Sequence, residues 1–335
     1  MKKLINNPQN FVDEMVGGVL VAHPDQLECL NNNSRCLMRS DSLKKNKVGL
    51  LTGGGSGHLP LFLGYVGKGM LDACAVGNVF ASPSAKTMFE LTKAIDSGSG
   101  VVYIFGNYSG DVMNFNMSAE MAKMEGIRIE QVIGNDDVAS APNRSENNRR
   151  GVAGIFFIYK IAGACAEEMA SIDEVKRIAE KARSNVRTMG VGLSPCILPE
   201  VGRPTFEIGE GDMEIGIGIH GEPGIIKGKL KSVDEIAEEI MEKILSDLPF
   251  NSGDEISVLI NGLGATPKEE LYIIYRKVFQ ILNSKDISAF HPYIGEFATS
   301  LEMSGMSISL LKLDDELKYF LSKPAKTPFF EQSQL

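Results

Sequence analysis

The sequence predicts an α/β fold in two domains, residues 1–186 with a mostly parallel sheet and flanking helices, and residues 187–335 as an α/β sandwich. Three observations carry that expectation. Short apolar runs alternate with helix-length segments through the first half, the order that builds parallel sheets. Glycines gather at the ends of those apolar runs, where an α/β protein places its ligand loops. After about Arg187 the pattern changes to short strand-like runs separated by Gly and Pro.

The elements follow in order. Residues 10–24 carry Phe11, Met15 and Val19 at helical spacing. Residues 48–51 are a short apolar run, and 71–76 and 100–105 read as further strands with a helix over 84–96 between them. A helix over 115–125 and a strand over 127–133 complete that alternation. Residues 134–150 are rich in Asn, Asp and Arg and long for a connection between a strand and a helix. The Ala/Gly-rich segment 151–170 suits a helix pressed closely on a sheet. Segment 171–184 begins acidic and ends basic, as the helix dipole favours. Beyond the boundary, strands are expected over 189–194, 205–208, 213–219, 255–261, 287–290 and 306–313, and helices over 233–245 and 267–283.

Composition narrows the function classes. The chain has 335 residues, 43% hydrophobic and 23% charged, close to a globular average, which excludes wholesale disorder. A net charge of −9 argues against non-specific binding to nucleic acid or anionic membranes; Arg149–Arg150 is the one short basic candidate. No apolar run approaches the length of a membrane span, and the N-terminal residues form no signal-peptide core. The five cysteines have neither metal spacing nor the density of a disulfide scaffold, so a reduced, cytoplasmic protein without a metal is expected.

Three segments carry chemistry. Gly53-Gly54-Gly55-Ser56-Gly57-His58 follows an apolar run; glycines there expose backbone N–H groups to a small polar ligand, and His58 adds a titrating ring. A tight structural turn is the plain alternative. The run lacks the Lys-Ser/Thr of a phosphate-binding P-loop. Gly106-Asn107-Tyr108-Ser109-Gly110-Asp111 ends another strand, on the same sheet edge, where Asp111 could exchange a proton with a ligand hydroxyl or merely cap the next helix. The third segment, Ile215 to Gly224, delivers His220 into a glycine-rich turn. A neutral imidazole nitrogen is a competent nucleophile toward a carbonyl, and Glu222 two residues on could fix its tautomer; a structural histidine is the alternative. His23 and His291 read as local structural residues.

As an ordered set these segments resemble the K subunit of dihydroxyacetone kinase. The likeness runs from Met1-Lys2-Lys3-Leu4-Ile5-Asn6 through residues 53–58, 82–83, 107–111, 149–154, 220–224, 261–267 and 300–301 to 307–313. The resemblance implies two α/β domains with the ligand site between them, a homodimer, and dihydroxyacetone held as a hemiaminal on His220. It implies that His58 and Asp111 act as acid and base around a ligand hydroxyl, with Gly55, Ser56, Gly57 and His58 lining the substrate. It also implies no nucleotide on this subunit, the phosphoryl donor coming from an ADP-containing L subunit recharged by a phosphotransferase-system protein.

Departures from that family pattern bear on function. Leu59 stands where enzymatic members have Glu, and Gly106 where they have Lys, a cation useful in phosphoryl transfer. Gly77-Asn78-Val79-Phe80-Ala81-Ser82-Pro83, Asn135-Asp136-Asp137 and residues 142–148 also diverge, while the anchor His220 stays. Such losses are similar to those of the DhaQ-type coactivators, paralogues that bind dihydroxyacetone and act through a TetR-like transcription activator without touching DNA. The resemblance therefore implies a ligand-binding coactivator, with the substrate-binding subunit of a phosphotransferase-system-dependent dihydroxyacetone kinase as the alternative.

Overall fold

The computed structural model describes residues 2–41 and 44–335; Met1, the first residue of the N-terminal run quoted above, lies outside them. After helix α1 (Phe11–Ala22) the chain builds a first sheet from β1 (Leu27–Cys29), β2 (Cys36–Arg39), β3 (Gly49–Ser56), β4 (Ala73–Val79), β5 (Val101–Gly106) and β6 (Ile129–Gly134). Its order is β1-β2-β4-β3-β5-β6. The pairs β3–β4, β3–β5 and β5–β6 are parallel, while β1 and β2 add an antiparallel edge. Helices α2 (Ala85–Ile95) and α3 (Ser109–Met124) cover one face, burying Met88, Leu91 and Phe115 against Leu51, Tyr103 and Phe105.

Next come α4 (Ile155–Glu167) and α5 (Ile172–Ser184), then a second sheet. That sheet comprises β7 (Val186–Ser194), β8 (Asp212–Ile215), β9 (Ile226–Lys229), β10 (Glu255–Gly262), β11 (Ser288–Gly295) and β12 (Ser304–Leu313), in the order β11-β10-β12-β7-β8-β9. Only β10–β11 is parallel among its pairs. Helices α6 (Val233–Asp247) and α7 (Lys268–Ser284) pack on its outer face through Ile240, Ile244, Ile274 and Val278. Ser232 and Glu235 close a reciprocal capping box at the start of α6, satisfying donors the first turn leaves free.

Helix α4 is the shared layer. Every residue from Ile155 to Ala166 is buried, which an all-round apolar helix requires. One side faces Val102, Ile104 and Val132 of the first sheet; the other meets Leu259, Tyr293 and Leu311 of the second, with Phe156 5.1 Å from the Tyr293 ring. Helix α8 (Asp315–Leu321) returns to the same core, and Lys160 Nζ donates to the carbonyl of Phe320. The α/β architecture with two mixed sheets is therefore as the sequence predicts.

Local differences have physical reasons. Strand β3 continues through Gly53–Gly55 and turns only at Gly57, because residues without side chains let it pair with β4 while Phe62 and Phe80 press on it. Helix α3 starts at Ser109, six residues before its first large apolar anchor, Phe115. Residues 205–208 form no strand; the isolated bridge with Ile197 belongs to Pro204, just before them. The strand expected over 213–219 stops at Ile215, where Gly216 takes φ +84° and opens a hairpin loop to β9.

Candidate functional site

Parallel strands β3, β5 and β6 end on one edge of the first sheet, so the segments after Ser56, Gly106 and Gly134 lie together there. Two connections of the second sheet close over that edge: the β8–β9 loop carrying His220, and the β11–β12 loop carrying Thr299. His58, Asp111 and His220 are brought together by this arrangement, although 162 residues separate the two histidines (220 − 58 = 162). The His58 and His220 rings meet edge to face at 4.8 Å between centroids.

His58 is 1% exposed. Its Nδ1–H donates to the carbonyl of Thr299 at 2.8 Å, so Nε2 carries the lone pair. Burial, with the neighbouring His220 adding to it, pushes its pKa down to about 3, and the ring is neutral at physiological pH. Phe80 stacks on this ring at 4.7 Å and touches His220 edge-on at 5.0 Å. Phe80 itself sits at φ +54°, a strained conformation for a bulky residue, held where it walls both histidines. Gly57, at φ +104°, makes room for it: a Cβ there would stand 2.8 Å from the Phe80 ring.

The clamp on His58 comes from the second sheet. Asn261, fully buried on β10, accepts the N–H groups of Phe297 and Ala298 through Oδ1 and donates through Nδ2 to the carbonyl of Ala298. It thereby fixes the loop whose Thr299 holds His58, while the N–H of Leu301 donates to the carbonyl of Gly57 at 2.7 Å. Ser56 uses its hydroxyl on the carbonyl of Gly77, so only backbone from Gly55 to Gly57 is left for a ligand.

His220 is oriented by Glu222. Nδ1–H donates to Oε1 at 2.9 Å, and the backbone N–H of His220 donates to Oε2 at 2.9 Å. Burial opposes ionisation of Glu222, but the His220 hydrogen bond and charge, with Arg150 beyond, overcome it and hold the pKa at about 2. The ring nitrogen opposite, Nε2, is the nucleophilic face of the imidazole. Tyr108 packs edge-on against His220 at 4.7 Å, and its ring also fills the space a side chain at Gly106 would take.

Asp111 is the third residue of α3, inside the first turn, where Tyr108 and not Asp111 is the cap. Burial raises its pKa to about 6, against the hydrogen bond of Ser82 and the charge of His220. Among the described residues, Asp111 Oδ1, His58 Nε2 and the Tyr108 hydroxyl are buried with no hydrogen-bond partner. Each such atom costs about 1–3 kcal/mol unless something completes it, and the two on His58 and Asp111, both neighbours of His220, are where a polar ligand would do so.

The folded pKa of Asp111, about 6, stands above the ordinary 3.8, so the folded state holds the proton more firmly. The resulting stability is fully present below the ordinary value and is lost as pH rises through about 6. Asp111→Asn should therefore raise the free energy of unfolding at about pH 8 by roughly 2–3 kcal/mol, read from denaturant titrations, and give no such gain at about pH 3. Equal gains at both pH values, or a loss at the higher one, would contradict the buried-carboxylate account.

Arg149 and Arg150 form no exposed basic patch. Arg149 is 1% exposed and bonds Asp247 through both Nη atoms; Arg150 is tied to Asp137 and to the carbonyl of Gly216. Phe80, Tyr108, Thr299, Asn261 and Arg150 escaped the sequence reading as site residues. The first two stand beside recognised motifs; the others reach the site only through long-range contacts.

Fold and site together define a two-sheet α/β protein that gathers His58, Asp111 and a carboxylate-oriented His220 where its two sheets meet. The Dak1 domain family model matches residues 17–329, and the chain belongs to that family. It is 45% identical over 331 residues, 99% of each chain, to the dihydroxyacetone-binding subunit DhaK of PTS-dependent dihydroxyacetone kinase 2 from Listeria innocua. Among solved structures, the dihydroxyacetone kinase operon co-activator Dha-DhaQ is similar with a TM-score of 0.90 and 32% identity, over 96% of this chain and 98% of that one. The dihydroxyacetone kinase of C. freundii is similar with a TM-score of 0.89 and 31% identity, over 99% of this chain and 60% of that one. Among the described residues, no helix is long and apolar enough to cross a membrane.

Proposed function

We propose that this protein binds dihydroxyacetone as a hemiaminal on His220 and reports its presence to a protein partner, as a coactivator, without phosphorylating it. The observation that carries the binding half is that His58 Nε2 and Asp111 Oδ1, buried and unpartnered, neighbour a carboxylate-oriented histidine. Nε2 of His220 adds to the carbonyl carbon; the carbonyl π pair moves to oxygen, which takes a proton from solvent. The ring then carries positive charge facing ionised Glu222. His58 Nε2 accepts a hydrogen bond from a ligand hydroxyl, and the Asp111 carboxyl exchanges a proton with another.

Support for the reporting half comes from what the rim lacks. Position 59 presents an apolar Leu, and position 106 supplies no cation to offset charge in phosphoryl transfer. The structural likeness to the DhaQ co-activator agrees. On this reading the chain is a cytoplasmic homodimer whose partner is a TetR-like activator, and its net charge of −9 suits contact with that protein and not with DNA. The second reading, a substrate-binding kinase subunit, is favoured by the 45% identity to a DhaK subunit and by the retained His58 and Asp111.

One assay separates the two. Mixed with an ADP-loaded L subunit, a phosphoryl donor and dihydroxyacetone, the protein is expected to yield no dihydroxyacetone phosphate while still binding the ketone. Robust turnover there assigns it to the kinase instead.

A further inference from the structure

We infer that Arg150 is the positioning residue of the ligand anchor, fixing the tautomer and aim of His220 from the opposite sheet. As far as reactivity is concerned, this rests on the hemiaminal reading above; the geometry stands apart from it. Arg150 belongs to the polar connection that leaves β6, yet its guanidinium reaches into the β8–β9 hairpin. Nε donates to Asp137 Oδ2 at 2.9 Å, Nη2 donates to the carbonyl of Gly216 at 3.0 Å, and Nη1 lies 3.9 Å from Glu222 Oε2. Its backbone N–H donates to Ser140 Oγ at 3.0 Å.

The neighbouring Arg149 points the other way, to Asp247 at the end of α6 at 2.8 and 2.5 Å, which pins the backbone of both arginines. A relay therefore runs from Asp137 through Arg150 and Glu222 to the Nδ1–H of His220. Its first two members come from the first sheet's loop and its last two from the second sheet's hairpin. Glu222 is about a third exposed and lies on a loop, so its own position needs a support; the Arg150 charge 3.9 Å away, on a guanidinium fixed by its hydrogen bonds to Asp137 and the Gly216 carbonyl, supplies one. Gly218 has the corresponding steric role, since a Cβ there would collide with both Glu222 Oε2 and Arg150 Nη1. With Glu222 held, His220 keeps its proton on Nδ1 and directs the Nε2 lone pair outward. Without Arg150, the hairpin loses its tie to the first sheet and the ring can exchange its tautomers.

Nitrogen NMR of the imidazoles in the unliganded full chain tests this, alongside adduct formation with dihydroxyacetone isotope-labelled at its carbonyl carbon. The wild-type protein should show a single Nδ1–H tautomer at His220. Arg150→Met and, independently, Gly218→Ala should show a mixture of tautomers, and adduct populations lower by about tenfold, roughly 1.4 kcal/mol. Arg150→Lys should recover only part, because it keeps the charge without the fork. Thermal midpoints establish folding, and any variant that fails to fold leaves the remaining two to decide. Folded variants with the wild-type tautomer and adduct population overturn the inference. A wild-type protein with the single tautomer, lost in the variants, but with no adduct would retain Arg150's role and remove the hemiaminal reading.

Discussion

Replacing His220 by Gln will abolish the tetrahedral carbon signal that the wild-type protein produces from carbonyl-labelled dihydroxyacetone, and will weaken binding by at least about 100-fold, roughly 2.7 kcal/mol. The expectation follows from geometry. Glu222 accepts the Nδ1–H hydrogen bond, Phe80, Tyr108 and His58 fix the ring from three directions, and the Nε2 lone pair of His220 is left free to attack a carbonyl. Gln keeps a polar group in the pocket but cannot add to a carbonyl under these conditions. The His220 side chain is about a quarter exposed, so the fold should tolerate the change. Survival of the adduct in His220→Gln would place the covalent bond elsewhere and remove the central claim.

The largest stability effect is expected far from that site. Asp72, with no exposed surface, accepts Lys47 Nζ at 2.9 and 2.7 Å, Arg39 Nη1 at 3.0 Å and the N–H of Leu50 at 2.8 Å. Lys47 and Arg39 are themselves buried. Asp72→Ala leaves the buried Lys47 ammonium and the Leu50 N–H without their carboxylate, while Arg39 keeps Asp41 and Glu167, at a cost of about 3–5 kcal/mol in urea denaturation. The double replacement Asp72→Leu with Lys47→Met should recover part of that loss, since it also removes one stranded cation. A single-variant cost below about 1 kcal/mol would show that water or a shifted Glu167 compensates.

How much of this was readable beforehand differs by element. The glycine-rich approach to His58, the turn before Asp111 and the loop around His220 were legible because Gly, Asp and His have strong local preferences. The alternation of β3 to β6 with α2 and α3 was legible from hydrophobic period. Strand β9 was not, because Ile226, Lys227, Gly228 and Lys229 lie on an exposed sheet edge with a mixed pattern. Residues 205–208 look like a strand by composition, yet they join neither sheet. Thr299 and Asn261 act on His58 through contacts spanning some 200 residues or more (299 − 58 = 241; 261 − 58 = 203), for which a single sequence holds no local signal. Arg149 and Arg150 misled as a basic patch because charge alone does not tell a solvated face from a buried fork.

Helix α4, sandwiched between both sheets, bears on how a ligand reaches His220. A helix that lends one flank to each sheet welds them: swinging one against the other would strip Phe156, Phe157 and Ile161 from partners on both sides at once. Access must then come from the rim, through the β8–β9 hairpin and the strained Phe80 turn, so the pocket behaves as a rigid box with a movable latch and not as a pair of jaws.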